Sequence, residues 1–302
     1  MSKTIDPFKK RQQQVRLQNR ALMRAALDTI KKTKATRFFI YIDAGGDDLL
    51  PDALPKDVDL ILVTKKTNYS YSGSLRVHTI TIPKLKLGRL GMIKISVLLA
   101  LSAKLINTED GLVFLIGKAE FATLDTIMCL KISEESELLT GHSIADIPPS
   151  IEPSVFEQAL NIAIELGNKG KEGKPVGTIF VLGDEEKVMQ LSKQMIINPF
   201  KGYEPEERNL LNPALKETIR EFASVDGAFV ISGKGEVITA GRYLGAALDE
   251  SEIPRGLGSR HIAAAGITAL TNSVAVVISE STGDVRIFRN GQVIMAIEKP
   301  TR

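Results

Sequence analysis

A glycine-rich segment that runs into an alanine-rich stretch is the first place where this chain could do chemistry. It reads Gly256-Leu257-Gly258-Ser259-Arg260-His261, with Ala263-Ala264-Ala265-Gly266 next. The first N–H groups of a helix have no partner within the helix, so they attract anions such as phosphate. Arg260 and His261 would add charge-assisted donors, and Ser259 a hydroxyl. Cations are unfavourable at a helix N-terminus unless an anion is bound, so the pattern predicts a phosphate site. The alternative is an exposed loop with two incidental charges.

A second candidate is Asp226-Gly227-Ala228, which precedes the apolar run Ala228 to Ile231. A carboxylate at the entrance to a buried strand can bind a divalent metal or accept a proton from a hydroxyl. The adjacent glycine would let a ligand approach the backbone closely. Helix-to-strand turns also contain Asp-Gly for ordinary structural reasons. This tripeptide alone therefore does not distinguish a functional carboxylate from a structural turn.

The elements that must position these residues alternate along the chain. Residues 8 to 32 have apolar positions at helical spacing and predict one amphipathic helix. Short apolar runs at 38 to 42, 59 to 63, 77 to 82 and 112 to 116, with a helical segment at 88 to 106, predict a mainly parallel α/β domain. Proline and glycine cluster at 141 to 153, which predicts a boundary between domains spanning residues 1–147 and 151–302.

The second domain is predicted to be a mixed α/β sheet rather than a doubly wound nucleotide fold. It begins with a helix over 155 to 166 and a strand over 176 to 182. Gly183-Asp184 predicts a helix through Ile196, and Asn212-Pro213 another that leads towards Asp226. Further strands are predicted at 228–231, 237–240, 274–278 and 285–288, and Asn290-Gly291 predicts a hairpin into 293–297.

Composition restricts the class of protein. The chain has 302 residues, 43% hydrophobic and 25% charged, which is typical of a globular protein, and its most apolar stretch, 93 to 106, is interrupted by polar residues. Eleven Lys and Arg against two Asp make residues 1–37 basic. No Trp is present and few aromatics interleave with these cations, so nucleic-acid binding is disfavoured. The single Cys129 is predicted to be a buried small hydrophobe, and the chain to be cytoplasmic without a membrane partner.

Taken together, the two clusters resemble the diadenylate cyclase domain of the DNA-integrity scanning protein and its relatives. The resemblance covers residues 151 to 298 and includes the segment 170–184, Asn198-Pro199-Phe200, Asp226-Gly227-Ala228, Gly258-Ser259-Arg260-His261 and 277–283. It implies an enzyme that joins two ATP molecules into cyclic di-AMP. In such enzymes each protomer binds one ATP, two sites face each other, and each 3′-oxygen attacks the partner's α-phosphorus. The resemblance therefore implies a homo-oligomer that contains at least a facing pair.

The resemblance also implies roles for single residues. Asp226 would hold the catalytic divalent metal, Mn²⁺ or Mg²⁺, and help to activate the ribose hydroxyl. Gly227 and Ala228 would line the ribose and α-phosphate, and Tyr243 and Leu244 would pack the adenine. Catalysis would rest on Asp226, Arg260 and His261. Gly258, Ser259, Arg260 and His261 would grip the triphosphate, with Ser279 and Glu280 nearby.

One position departs from the family motif, which usually reads Arg-His-Arg: the third residue here is Ile262. Another cation, such as Arg255 or Arg242, could supply the missing charge. The departure keeps open a second function, a regulatory module that senses ATP or cyclic di-AMP without turnover. The N-terminal half more loosely resembles the α/β domain at the C-terminus of pyruvate kinase, an arrangement similar to archaeal diadenylate cyclases, and it implies a regulatory or assembly role.

Overall fold

The computed structural model describes residues 7–84, 87–134, 147–170, 173–245 and 258–299. The chain divides into two compact units, one around a five-stranded sheet and one around a seven-stranded sheet. Residues 141–146 of the predicted boundary region at 141 to 153 lie outside the described residues, and the boundary stays a prediction. No helix in the described ranges is long and apolar enough to cross a membrane.

The first unit is built on a mainly parallel sheet, as its alternating runs predicted. Its strands are β1 (Arg37–Tyr41), β2 (Asp59–Thr64), β3 (Val77–Thr81), β4 (Gly111–Lys118) and β5 (Thr123–Lys131). They lie in the order β3-β2-β1-β4-β5, and all pairs are parallel except β4 with β5. The antiparallel edge strand β5 was not predicted. Cys129 lies on it and is exposed, so the prediction that this thiol is buried was wrong.

Helices α1 (Pro7–Thr33) and α2 (Ile42–Gly45) accompany this sheet, and α3 (Arg89–Ser102) connects β3 to β4, with only its residues 95–100 grouped with this unit. Helix α1 confirms the amphipathic pattern, because its residues Met23, Ala26 and Ile30 are buried at helical spacing. The short helix α2 follows β1 directly and ends at Gly46, which has a φ of 77°. The chain therefore turns sharply at the carboxyl end of the central strand.

The second unit contains a mixed sheet, again as predicted. Its strands are β6 (Ile179–Leu182), β7 (Ser192–Gln194), β8 (Ala228–Ile231), β9 (Val237–Leu244), β10 (Val274–Ile278), β11 (Val285–Arg289) and β12 (Gln292–Ile297). Their order is β12-β11-β10-β6-β8-β9-β7, and only β6 and β8 are parallel. The predicted Asn290-Gly291 hairpin joins β11 to β12, and both of its residues have positive φ, as such turns require.

The helices of the second unit are α4 (Pro153–Asn168), α5 (Glu185–Gln190), α6 (Leu215–Phe222) and α7 (Ser259–Leu270). The prediction of one helix through Ile196 was wrong, because α5 ends at Gln190 and the chain continues as β7. Residues Ser192 to Gln194 pair with β9, whose partners Leu244 and Arg242 lie far along the chain. Helical spacing in a local window cannot detect that pairing.

A single hydrophobic cluster holds the site-bearing elements together. It joins the buried faces of β6, β8 and β10 to helix α7 through residues such as Val181, Val230, Val277, Ala264 and Ile267. The small alanines let the helix lie close to the sheet. The start of α7 and the start of β8 are thereby fixed relative to each other.

Candidate active site

The turn between α6 and β8 presents a carboxylate to solvent. Gly227 has a φ of 111°, and a Cβ at this position would lie 2.6 Å from the carbonyl carbon of Gly241. Glycine is therefore required here, because any side chain would meet backbone. The next residue, Ala228, is fully buried at the start of β8, whereas the Asp226 side chain is 89% exposed. The turn thus holds Asp226 at the rim of the sheet.

The N-terminus of α7 has the features that the phosphate prediction requires. Gly258 is its capping residue and makes no side-chain hydrogen bond. Its carbonyl accepts from the N–H groups of His261 and Ile262, at 2.9 and 3.3 Å. The backbone N–H groups of Ser259 and Arg260 donate to no residue that the structure describes. They remain available to an anion, together with the exposed Ser259 hydroxyl.

Arg260 connects this helix start to two carboxylates. Its Nη2 lies 3.1 Å from Asp226 Oδ1, and its Nη1 lies 2.8 Å from Glu280 Oε2. Gly177 packs against the same group, since a Cβ there would lie 2.7 Å from Glu280 Cβ and 2.9 Å from Arg260 Nη1. Because the two carboxylates are 89% and 66% exposed, these ion pairs contribute little stability. They orient the guanidinium rather than hold the fold together.

Two adjoining clefts surround Arg260. The first, which we name the Asp226 cleft, has a volume of about 330 Å³ and is lined by Ile179, Met195, Asp226, Gly227, Ala228, Arg242, Tyr243, Leu244, Ser259, Arg260 and Ala263. The second, the Glu280 cleft, has about 520 Å³ and is lined by Gly258, Ser259, Arg260, His261, Ile278, Ser279, Glu280, Ser281, Thr282 and Arg286. Ser259 and Arg260 line both clefts. Every site residue predicted from the sequence lies in one cleft or the other.

The two clefts differ in chemical character. The Asp226 cleft has apolar walls from Ile179, Leu244 and Ala263, with the half-exposed ring of Tyr243 at its edge. The Glu280 cleft is lined mainly by polar groups, and the Ser279 hydroxyl lies 3.2 Å from that of Ser281 and accepts from the Thr282 N–H. One compartment therefore suits a planar apolar ring and the other suits an anion.

His261 differs from its expected character. It is only 6% exposed, and burial together with the charges of Arg286 and Arg260 lowers its pKa to about 4. The imidazole is neutral near pH 7, so it is not the charge-assisted donor that the sequence suggested. Its Nε2 lies 3.1 Å from Nη1 of Arg286, which can only donate, so Nε2 accepts and the proton is on Nδ1. Nδ1 is buried and has no hydrogen-bond partner among the residues that the structure describes.

Arg286 is a site residue that sequence reasoning missed. It lies on β11, lines the Glu280 cleft and keeps 26% of its side chain exposed. In the sequence it alternates with apolar Val285 and Ile287, which is the pattern of an ordinary solvent-facing position. Only the antiparallel pairing of β10 with β11, which sets Arg286 opposite Val277, places it beside His261. No local signal could have identified it.

Of the two cations considered as substitutes for the missing arginine, Arg242 lines the Asp226 cleft but is occupied by hydrogen bonds within the fold. Arg242 is 8% exposed, and its guanidinium donates to Ser192 Oγ and to the carbonyls of Met189 and Ser192. Arg255 lies outside the described residues. Ile262 itself is half-buried and lines neither cleft.

A divalent metal would find only part of its coordination in this site. Among the described residues no group of three His, Cys, Asp or Glu side chains could hold a metal ion. Asp226 nevertheless presents an exposed carboxylate in the Asp226 cleft, beside Arg260, which lines both clefts. Mg²⁺ and similar ions are commonly bound by one or two carboxylates together with substrate phosphates. The residues therefore fit an ion that a bound phosphate chain helps to coordinate.

Comparison with known proteins decides the family. A family model described as DisA bacterial checkpoint controller nucleotide-binding matches residues 165–293, which include both clefts. A diadenylate cyclase from Methanocaldococcus jannaschii is 32% identical over 295 residues, covering 90% of this chain and 94% of that protein. The chain belongs to the diadenylate cyclase family.

Two further comparisons accompany this assignment. A family member from Haloferax volcanii is 43% identical over 147 residues, which is 49% of this chain and 54% of that protein. A solved double mutant of DacA from Staphylococcus aureus covers 48% of this chain and 87% of its own, with 23% identity and a TM-score of 0.32. A structural likeness of that extent adds nothing to the family assignment.

Proposed function

We propose that this protein condenses two molecules of ATP into cyclic di-AMP and two of pyrophosphate. The observation that carries the proposal is the position of Arg260, which joins an apolar-walled cleft to an anion-attracting one and contacts Asp226 and Glu280. Each 3′-oxygen would form a bond to the α-phosphorus of the other nucleotide as the bond to pyrophosphate breaks. Such chemistry depends mainly on positioning and on charge neutralisation.

The shapes of the two clefts support one orientation of the nucleotide. The adenine would lie in the Asp226 cleft against Tyr243 and Leu244, with the ribose and α-phosphate beside Gly227 and Ala228. The triphosphate would extend into the Glu280 cleft towards the N–H groups of α7. Arg260 would then exchange one or both carboxylates for phosphate oxygens, which form stronger charge-assisted hydrogen bonds.

Asp226 would accept the proton of the attacking 3′-hydroxyl, because its carboxylate is exposed in the Asp226 cleft beside Arg260. The same carboxylate would hold Mn²⁺ or Mg²⁺, which when bound neutralises charge on the phosphates. Glu280 would keep Arg260 oriented through the 2.8 Å contact.

Arg286 would supply the phosphate-binding charge that Ile262 does not. It faces the Glu280 cleft, and its carboxylate neighbour Asp284 is 3.9 Å away, too far for a hydrogen bond. His261 would act as a positioning residue, since its neutral ring accepts from Arg286 and holds that guanidinium towards the cleft.

The size of the site supports a facing pair of subunits, because a cleft of about 330 Å³ has room for one nucleoside and not for two. Apolar side chains near the Asp226 cleft support such a contact: Met195 and Tyr243 are 47% and 59% exposed, and Ile197 is 94% exposed. We therefore propose a homo-oligomer in which two sites face each other. Its substrate ATP would place the enzyme in the cytoplasm.

Incubating the purified full chain with ATP and Mn²⁺ and analysing the nucleotides by mass tests the proposal. We expect cyclic di-AMP and pyrophosphate. The second candidate, a module that senses ATP or cyclic di-AMP without turnover, rests on Ile262. Tight ATP binding without any product would favour that candidate and overturn the enzymatic function.

A further inference from the structure

A third cleft lies in the first unit, far along the chain from the candidate active site. It has a volume of about 610 Å³, within the usual range for small-molecule sites. Residues that follow β1, including Gly45 and Asp48, form one wall, and the turn after β4, 119–122, forms another. The first half of helix α1 forms the third. We name it the switch-point cleft.

The position of this cleft in the sheet is the first argument that it binds a ligand. From β1 the chain proceeds to β2 and β3 on one side of the sheet, and then returns to β4 on the other side. The connections therefore diverge from the gap between the carboxyl ends of β1 and β4. Open parallel sheets bind their ligands in the crevice at this reversal. The walls of the switch-point cleft are the segments that leave these two strand ends.

The charge of the helix wall is the second, independent argument. Arg11, Arg16 and Arg20 all line the cleft. Arg16 and Arg20 lie one turn apart on α1, whereas Arg11 lies more than a turn earlier, at the other edge of the helix surface that faces the cleft. None of them forms an ion pair with a carboxylate in the part of the chain that the structure describes. Three cations that face one cleft repel each other unless an anion lies between them. Arginine is also the residue best suited to bind phosphate through two parallel hydrogen bonds.

The carboxylates near the cleft are divided between two roles. Asp43 accepts from Thr64 Oγ1 and from the Lys65 N–H, each at 2.7 Å, and Asp47 accepts from the Tyr69 hydroxyl at 2.7 Å. These contacts keep both groups occupied. Asp48 and Glu120 instead line the cleft as exposed acceptors, which suit hydroxyl groups.

The helix wall is held in place by specific hydrogen bonds. Asn19 donates to the Ala122 carbonyl at 2.9 Å and accepts from the Leu124 N–H at 2.8 Å, although it is 4% exposed. Gln18 donates to the Leu124 carbonyl at 2.9 Å. The helix that carries the arginines is thereby fixed against the turn after β4, and a preorganised wall binds an anion with less loss of conformational entropy.

We infer that the switch-point cleft binds a small organic phosphate that carries hydroxyl groups. The phosphate lies between Arg16 and Arg20, with Arg11 at the other edge of the cleft, and the hydroxyls donate to Asp48 and Glu120. Val15, Leu49 and the half-exposed ring of Phe121 cover the carbon skeleton. This site is separate from the proposed active site, so it gives the first unit a ligand of its own.

Calorimetric titration of the full chain with ribose 5-phosphate tests the inference. Binding should weaken by about tenfold or more in Arg16→Ala and in Arg20→Ala, because each loses a charge-assisted contact. The matched control is Arg24→Ala, which removes an exposed arginine one turn further along the same helix that does not line the cleft. That variant should bind within about twofold of the original chain. Inorganic phosphate should compete, at higher concentration.

Binding should also persist in Arg260→Ala, which removes the anion contact of the proposed active site. If no binding is detected up to about 10 mM ribose 5-phosphate, the inference is overturned, because a dissociation constant above that value does not indicate a specific site. An equal loss in Arg24→Ala, which would indicate a diffuse basic surface, or a loss in Arg260→Ala alone, which would place the phosphate at the active site, would also overturn it. Because all four arginine positions are outside the buried core, circular dichroism should show the variants folded.

Discussion

At the scale of single residues, we propose that a different element supplies the charge missing at Ile262. Arg286 reaches the Glu280 cleft from β11, whereas the family motif carries its cation on the helix. We expect Arg286→Ala to weaken ATP binding by about tenfold or more, because a hydrogen bond to a charged group contributes about 1.5–3 kcal/mol. Arg286→Lys should retain part of the affinity. Equilibrium ATP binding measures both.

A matched control is Lys193→Ala, which removes an exposed cation on β7 that lines neither cleft. Its ATP affinity should be unchanged. Equal affinities for Arg286→Ala and the original chain would show that the triphosphate is bound by other groups.

His261 couples the site to stability through its protonation. The ordinary pKa of 6.5 applies in the unfolded chain and about 4 in the folded one, so between these values only the unfolded state takes up a proton. The contribution of the neutral His261 ring to stability should therefore be complete above pH 6.5. The free energy of unfolding should fall as the pH is lowered from 6.5 towards 4. The loss from this group is on the order of 3 kcal/mol at most.

Chemical denaturation at pH 7 and pH 5 measures this effect. His261→Gln, which cannot take up the proton, should be less sensitive to pH in this window. His78→Gln removes a half-buried histidine of β3 and should leave the dependence as it is. An unchanged pH dependence in His261→Gln would mean that the ring is not held neutral.

At the scale of elements, close backbone approach determines the geometry of the site. We expect Gly177→Ala to lower turnover more than it lowers stability, because the added Cβ would displace Glu280 and Arg260 at 2.7 and 2.9 Å. Arg260 Nη1 is the end of a flexible side chain and can move, whereas Glu280 Cβ and the Glu280 backbone N at 3.1 Å can yield only by a local backbone shift, so the thermal midpoint should also fall somewhat. Gly88→Ala, where nothing lies within 4 Å, is the matched substitution. Comparing kcat with the thermal midpoint tests this, and equal kcat values for the two variants would contradict it.

The elements also show what could be predicted from the sequence. Helix α1, the parallel strands β1 to β4 and the hairpin of β11 and β12 were predicted because their signals are local: helical periodicity, buried apolar runs and an Asn-Gly turn. The residues of the two clefts were named because glycines and polar groups interrupt apolar segments. Strands β5 and β7, the neutral state of His261 and the role of Arg286 were not predicted, because each depends on pairing between distant segments.

At the scale of the whole molecule, the proposed chemistry requires two sites in contact. Mixing Asp226→Asn subunits with the original chain should lower activity more than dilution alone, because a pair containing one altered site lacks one of its two 3′-hydroxyl acceptors. The measurement is the rate of cyclic di-AMP formation against the fraction of altered subunit, after the subunits have exchanged. A strictly linear decrease would indicate that each subunit acts alone.

The most direct test of the account is the isotopic composition of the product. An equimolar mixture of ordinary and uniformly ¹³C-labelled ATP should give cyclic di-AMP in unlabelled, half-labelled and fully labelled forms in a ratio of about 1:2:1, since two independent nucleotides are joined. The same incubation with Asp226→Asn should give no product while ATP still binds, because the adenine and phosphate contacts lie on other residues. Consumption of ATP without any cyclic di-AMP, or product formation undiminished in Asp226→Asn, would contradict the account.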